Sequence, residues 1–275
     1  MQEKYPVPRL AVAAAMRSSR WTGQWVTLAF AIVATTTWPA YGGEVAGWES
    51  NQCVACHQVE QLPISLGHSM SEWQASSHAR SGVGCEKCHG GNASIAARQA
   101  AHEGVLPSSD PKSKVSPHNL AATCGACHEG QYEAYKDTVH AKQVASDSDA
   151  ATCLTCHGSM ATSYPSPCEL KARCGVCHAE PVQAQAALSW LAAAKTHLLR
   201  AHRAVDEARS TAPDWYPGAV ARFHSMEKDL AAIELEWHKF DMEECVKQSR
   251  DLLSLGKLLE EEAHLKVKLK QEMAE

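Results

Sequence analysis

Residues 53–57 read Cys53-Val-Ala-Cys56-His57, and the same spacing returns four more times. The further copies are Cys85-Glu-Lys-Cys88-His89, Cys124-Gly-Ala-Cys127-His128, Cys153-Leu-Thr-Cys156-His157 and Cys174-Gly-Val-Cys177-His178. Ten of the twelve cysteines are used in this way. Two residues between the thiols bring both sulfurs onto one turn, and the next residue projects an imidazole from that turn. This suits capture of the two vinyl groups of a haem as thioethers while the imidazole reaches the iron. Zinc binds cysteine pairs at this spacing but needs no histidine after each pair. Disulfides leave the five histidines unexplained. The spacing therefore predicts five covalently bound haem c groups, with His57, His89, His128, His157 and His178 as proximal iron ligands.

Outward from the motifs, composition agrees. The chain has 275 residues, a formal charge of −5 and 45% hydrophobic residues, which excludes wholesale disorder. Its acidity argues against a nucleic-acid partner. Only three phenylalanines and four isoleucines are present, too few for a conventional β-rich core. The five motifs fall within residues 43–180, with fewer than 28 residues of chain for each. So little chain cannot insulate five macrocycles from one another. Porphyrins are expected to be the core, packed closely enough to pass electrons.

Residues 1–42 read as an export signal. Arg17 and Arg20 precede the uncharged stretch 21–40, whose apolar part is Val26–Thr37, and small residues follow at Ala40, Gly42 and Gly43. A start at Met16 gives a tidier leader, MRSSRW. The alternative is an uncleaved membrane anchor, weakened by Gly23, Gln24 and Pro39. Beyond residue 42 there are 22 Lys+Arg against 30 Asp+Glu, so the mature protein is acidic. A periplasmic or otherwise exported location is expected, with a membrane contact only if the signal is retained.

A haem with one protein ligand can bind substrate, whereas a haem with two histidines mostly carries electrons. Ten further histidines are therefore informative. Trp73-Gln-Ala-Ser76-Ser-His78-Ala79-Arg80 matches Tyr135-Lys-Asp-Thr138-Val-His140-Ala141-Lys142, and each copy lies between two motifs, the later ending in Gly90 or Gly158. This repeat marks His78 and His140 as distal ligands, with the aromatic ring placed to pack on a porphyrin. His68, His102 and His118 complete the set because supply then equals demand. The tail histidines, His197, His202, His224, His238 and His264, read as polar helix residues. His197 and His202 follow the fifth motif closely enough to cap it.

After Pro181 the chain changes character. Ala187, Leu191, Ala194, Leu198, Ala201 and Val205 recur at coiled-coil spacing, as do Phe223, Met226, Leu230, Ile233, Trp237 and Phe240. A break at Thr211–Gly218 separates them. The fold class expected is mainly α: a haem-packed, sheet-poor domain over 43–180, then a long antiparallel helical hairpin over 181–275. The second helix is expected to run to about residue 272, bent at Gly256. Leu252, Leu253, Leu255, Leu258 and Leu259 then overhang the first helix and offer a face to the haem domain or to another chain, so a homo-oligomer or partner contact is expected there. Cys168 and Cys245 are left over and are candidates for a disulfide pinning the tail down.

The runs SSHARSGVGCEKCHGG, SPHNLAATCGACHEGQYEAYKDTVHAK and CLTCHG resemble the hydroxylamine oxidoreductase-like multihaem cytochromes. That superfamily includes octahaem and pentahaem nitrogen-cycle enzymes and small tetrahaem carriers. The resemblance covers about residues 50–180. The octahaem enzymes have eight attachment sites and this chain five. The pentahaem nitrite reductases carry Lys in place of His at the catalytic haem, whereas all five motifs here end in His. No catalytic residue is carried over. Two functional readings follow. One is an electron carrier with mostly bis-His haems, working between redox protein partners. The other is an oxidoreductase acting on hydroxylamine, nitrite or a sulfur oxyanion at one five-coordinate haem.

Overall fold

The structure is a computed structural model that describes residues 48, 50–58, 68–146, 149–160 and 165–273. The expected export signal lies outside the described residues. Among those residues the fold is mainly α, with no strand.

Ten short helices come first: α1 (Gln52–His57), α2 (Met70–Ala75), α3 (Ser77–Arg80), α4 (Cys85–His89), α5 (Arg98–Ala101), α6 (Pro117–Gly125), α7 (Glu129–Tyr135), α8 (Val139–Ala145), α9 (Cys153–His157) and α10 (Pro167–Cys174). Most are too short to be stable alone. They are held by local caps. Ser69 caps α2 with a reciprocal bond from its backbone N–H to Glu72, and Ser166 does the same for α10 with Glu169. Ser76 and Thr138 accept from the N–H groups of Ala79 and Ala141, opening the helices that carry His78 and His140.

Side-chain packing is thin in this half. Among the described residues, eight apolar side chains are buried between 48 and 180, against twenty beyond 181. The small cluster Val54, Trp73 and Ala79, with Trp48 at its edge, is the main one.

The tail is a three-helix bundle rather than the expected hairpin. It consists of α11 (Val182–Glu207), α12 (Tyr216–His238) and α13 (Met242–Glu272). The expected continuous second helix breaks at 239–241, where Phe240 takes φ +61° and the Asp241 side chain accepts from the N–H of Glu244 at 3.0 Å. The stop-and-restart signal is Asp241 followed by Glu243 and Glu244, an N-cap with acid in the first turn. Chain reversal lays α13 alongside α11, so Leu252, Leu253 and Leu259 are buried in the bundle core rather than overhanging. Gly256 is no bend. It lies inside α13, where a Cβ would stand 3.5 Å from the His197 backbone, so the helices approach closely over the small-residue face of α11. Leu255, Leu258, Leu265 and Leu269 remain exposed. Both leftover thiols are free: Cys245 is buried in the bundle and Cys168 is exposed, so the expected disulfide is absent.

The far end of the bundle is tied by Glu262. Its carboxylate accepts from Trp215 Nε1 at 2.6 Å and from Arg222 at 2.8 Å. Burial pushes its pKa up, but these two bonds outweigh it and hold the group below its ordinary 4.5. A depressed carboxylate stabilises the fold above its unfolded pKa, and that contribution is lost as pH falls through the folded value. The group is partly exposed, so solvent screening keeps the contribution to about 1 kcal/mol or less. Glu262→Gln should lower bundle stability by up to that amount at neutral pH. The gap from wild type should close below about pH 4. Thermal melts followed by helix circular dichroism check this; a gap that persists in acid would assign the loss to packing instead.

Candidate functional site

The five motifs adopt two local forms. The first, second and fourth occupy α1, α4 and α9, which end at the motif histidine. The third and fifth begin at the ends of α6 and α10, and the N–H groups of His128 and His178 turn back to the carbonyls of Cys124 and Cys174 at 2.9 and 2.8 Å. In each, both thiols and the imidazole come from one turn, as the spacing requires.

Each motif ring faces a second imidazole. Ring centres stand 6.0 Å apart for His57 and His102, 5.8 Å for His89 and His68, 6.2 Å for His128 and His78, and 5.9 Å for His178 and His140. His157 faces His238 at 6.2 Å. These separations lie in the outer part of the range for paired rings. A metal–imidazole nitrogen bond is about 2 Å, and the ring centre lies about 1 Å beyond the nitrogen, so two imidazoles trans on one metal ion stand roughly 6 Å apart. Two thiols beside one ring, with a second ring opposite at that distance, fit haem c with two axial histidines. Among the described residues no group of three or more Cys, His, Asp or Glu side chains is arranged to hold a metal ion, the arrangement zinc would need.

Ring orientation is set from behind. His102 and His238 each place Nδ1 against the carbonyl four residues back, Arg98 at 2.7 Å and Glu234 at 2.6 Å. An N–H spent on that carbonyl leaves Nε2 as the outward acceptor. Burial, then the partner ring, lowers the pKa of His78 and of His140, and burial followed by His68 and His57 lowers that of His89.

The attachment sites lie in file. The thiol of Cys85 is pushed up to about 11 by burial, then by Cys53 and Glu86, which places the second site beside the first. Asn51 links them further, donating to Glu86 at 3.3 Å while it caps α1. Cys88 is raised by burial and then by Cys124 and Cys127 of the third site. Cys124 and Cys153 share a hydrogen bond that raises the first and lowers the second, joining the third site to the fourth. Burial and then Cys174 raise Cys156, and Arg173 donates to the Cys156 carbonyl, joining the fourth to the fifth.

The repeated phrase serves a longer reach than neighbouring motifs. His78 follows the first motif and faces the third; His140 follows the third and faces the fifth. The two aromatic residues act alike, as ties to the loop leading to the next motif: Trp73 Nε1 donates to the Val83 carbonyl at 3.2 Å and Tyr135 Oη to that of Ala151 at 2.7 Å. The sequence holds a second repeat. Ser116-Pro117-His118-Asn119-Leu120 and Ser166-Pro167-Cys168-Glu169-Leu170 each begin eight residues before a motif cysteine. They form α6 and α10, burying Leu120 and Leu170. His118 thus stands where Cys168 stands, exposed near a helix start. It lines a cleft of about 590 Å³ with Ser108, Thr152 and Leu154. The ring facing His157 is His238, which had been grouped with the polar tail residues. His197 and His202 pair with Glu260 and Asp206 instead of capping the fifth motif.

Residues 39–90 match the family described as Cytochrome c554 and c-prime. The chain is 36% identical over 88 residues to the C-type polyheme cytochrome OmcC of Geobacter sulfurreducens, covering 32% of this chain and 10% of that one. It is 31% identical over 123 residues to the C-type polyheme cytochrome OmcB of the same organism, covering 42% of this chain and 14% of that one. The chain therefore spans a seventh or less of the length of these relatives. No solved structure matches.

The glycines after the even motifs give a local check. Gly158 has φ +68° and ψ 176°, a conformation open to glycine almost alone, with free space around it. Gly91 has φ +79°, and a Cβ there would lie 2.5 Å from the Ala101 carbonyl oxygen, beside His102. Gly158→Ala should cost about 1–2 kcal/mol from the backbone alone. Gly91→Ala should cost more and displace His102. Denaturant unfolding of the two variants measures this; equal losses would show that the 91–105 loop yields freely. Residues 39–90 thus carry the signature of the Cytochrome c554 and c-prime family, and part of the chain is homologous to C-type polyheme cytochromes.

Proposed function

We propose that the protein is an exported electron carrier holding five haem c groups, four of them closed on both faces by histidines of the same domain. The observation that carries this is the set of facing rings His57/His102, His89/His68, His128/His78 and His178/His140, all at about the spacing of a bis-imidazole metal site. Cys53, Cys56, Cys85, Cys88, Cys124, Cys127, Cys153, Cys156, Cys174 and Cys177 are the attachment thiols. Bound haem supplies an iron that alternates between ferric and ferrous states. Two histidines on an iron leave no position for substrate, which favours transfer over catalysis.

The chain's own contribution is position. Consecutive thiol pairs adjoin along the sequence order, so electrons would enter and leave at the two ends of a file rather than at a central site. On this reading the first and fifth sites would be those ends. Redox proteins are the partners this arrangement suits. Haem is joined to c-type apoproteins outside the cytoplasm, which agrees with the export signal read in residues 1–42. The oxidoreductase alternative requires an iron with one open axial position, and four of the motif rings speak against it.

Two measurements test the reading. The denatured mature protein should exceed the mass of its polypeptide by five haems; a zinc adduct or bare chain would overturn it. Replacing His78 or His140 with Ala should leave all five haems attached, because attachment rests on the thiols, while one haem in each variant turns from low to high spin. Wild-type spectra in both variants would reduce the repeated phrase to packing.

A further inference from the structure

We propose that His238, at the last turn of α12, is the second axial ligand of the fourth site, standing in for a histidine that the second repeat unit lacks. This rests on the five-haem reading above. The two repeat units can be laid together on their aromatic residues, Trp73 and Tyr135. Five residues before Trp73 stands His68, whose ring faces His89 in the second motif. Five residues before Tyr135 stands Gly130. The second unit is also shorter there: sixteen positions lead from His57 to Trp73, but seven from His128 to Tyr135. The fourth motif therefore has no local counterpart of His68.

The tail occupies that place. A Cβ on Gly130 would stand 3.4 Å from the Leu235 side chain, an ordinary van der Waals contact, so α12 packs directly on α7 at this position. Leu235 and His238 are three residues apart and share a helix face. That contact brings the His238 ring to 6.2 Å from His157, with the two planes only 12° from parallel. The Glu234 carbonyl holds its Nδ1, leaving Nε2 toward the motif ring. His118, the local candidate, is exposed on a different helix and belongs to the repeat it shares with Cys168.

A second contact fixes the same corner. Phe240, two residues on, packs its ring edge-on at 4.4 Å against His140, which faces His178 of the fifth site. It does so from φ +61°, a conformation unfavourable for a bulky residue and kept only where surroundings enforce it. The α12–α13 corner thus clasps the fourth and fifth sites together. The fourth site adjoins the third and the fifth, so on this reading the tail would set the ligation of a haem inside the file.

The test uses the full-length holoprotein and its ferric electron paramagnetic resonance spectrum. Near-parallel imidazole planes give a rhombic low-spin signal, whereas steeply crossed planes such as those of His178 and His140 give a strongly anisotropic one. His238→Ala should keep five haems by mass, lose one haem in five from the low-spin population, the rhombic one, and gain a matching high-spin signal. Added imidazole should reverse the change. His118→Ala should alter neither signal. His238→Met, which keeps a ligand, should remain low spin with a raised potential at one haem, and it decides the matter if the Ala variant does not fold. An unchanged low-spin population in His238→Ala, or loss of it in His118→Ala, would overturn the assignment. A wild-type mass short of five haems would instead overturn the reading beneath it.

Discussion

A separation of about 6 Å between two imidazole rings, repeated at five places, is the constraint on which the rest of the structure depends. Ring centres at that distance attract one another only weakly. The spacing leaves room for a group between the two rings of each pair. On the proposed reading that is a haem iron, and the bond to each ring converts a loose turn into a fixed one. The chain economises accordingly: caps at Ser69, Ser76, Thr138 and Ser166 start the helices, and few apolar side chains are asked to close over them.

The two halves of the molecule then solve the folding problem in different ways. Residues 181 onward bury Leu, Ala, Met and Ile along helix faces. The small residues of α11 and Gly256 of α13 let helices approach closely, and Asp241 restarts the chain after its reversal. The halves meet where α12 reaches α7 and where His238 and Phe240 face the fourth and fifth motif regions. A tail built as an independent bundle can in this way act on the electron path without holding any attachment thiol itself.

Much of this was legible in the sequence because the chemistry is local. Five copies of one motif name the thiols and one set of rings. The repeated phrase singled out His78 and His140, because a repeat is visible without knowing the fold. His68 and His102 were picked only by counting, and the structure sets them opposite motif rings. His238 was not legible by the same route. It is 81 residues from His157, and nothing in its own neighbourhood distinguishes it from His202 or His224. The readable trace was an absence, Gly130 standing where the first unit has His68. The hairpin was misread for a related reason. Apolar residues resume beyond 242, but the positions that would continue the Phe223–Phe240 stripe, Glu244 and Lys247, are charged, and this break in phase with the cap at Asp241 marks the reversal.

The account's central claim is that no iron in the native protein has an open axial position. It is tested most directly by integrating the ferric electron paramagnetic resonance spectrum of the unmodified holoprotein against its haem content. The account predicts that low-spin signals account for every haem and that exogenous ligands such as cyanide or nitrite leave the spectrum unchanged at neutral pH. A high-spin signal amounting to one haem per chain, shifted by such a ligand, would contradict it and return the protein to the oxidoreductase reading.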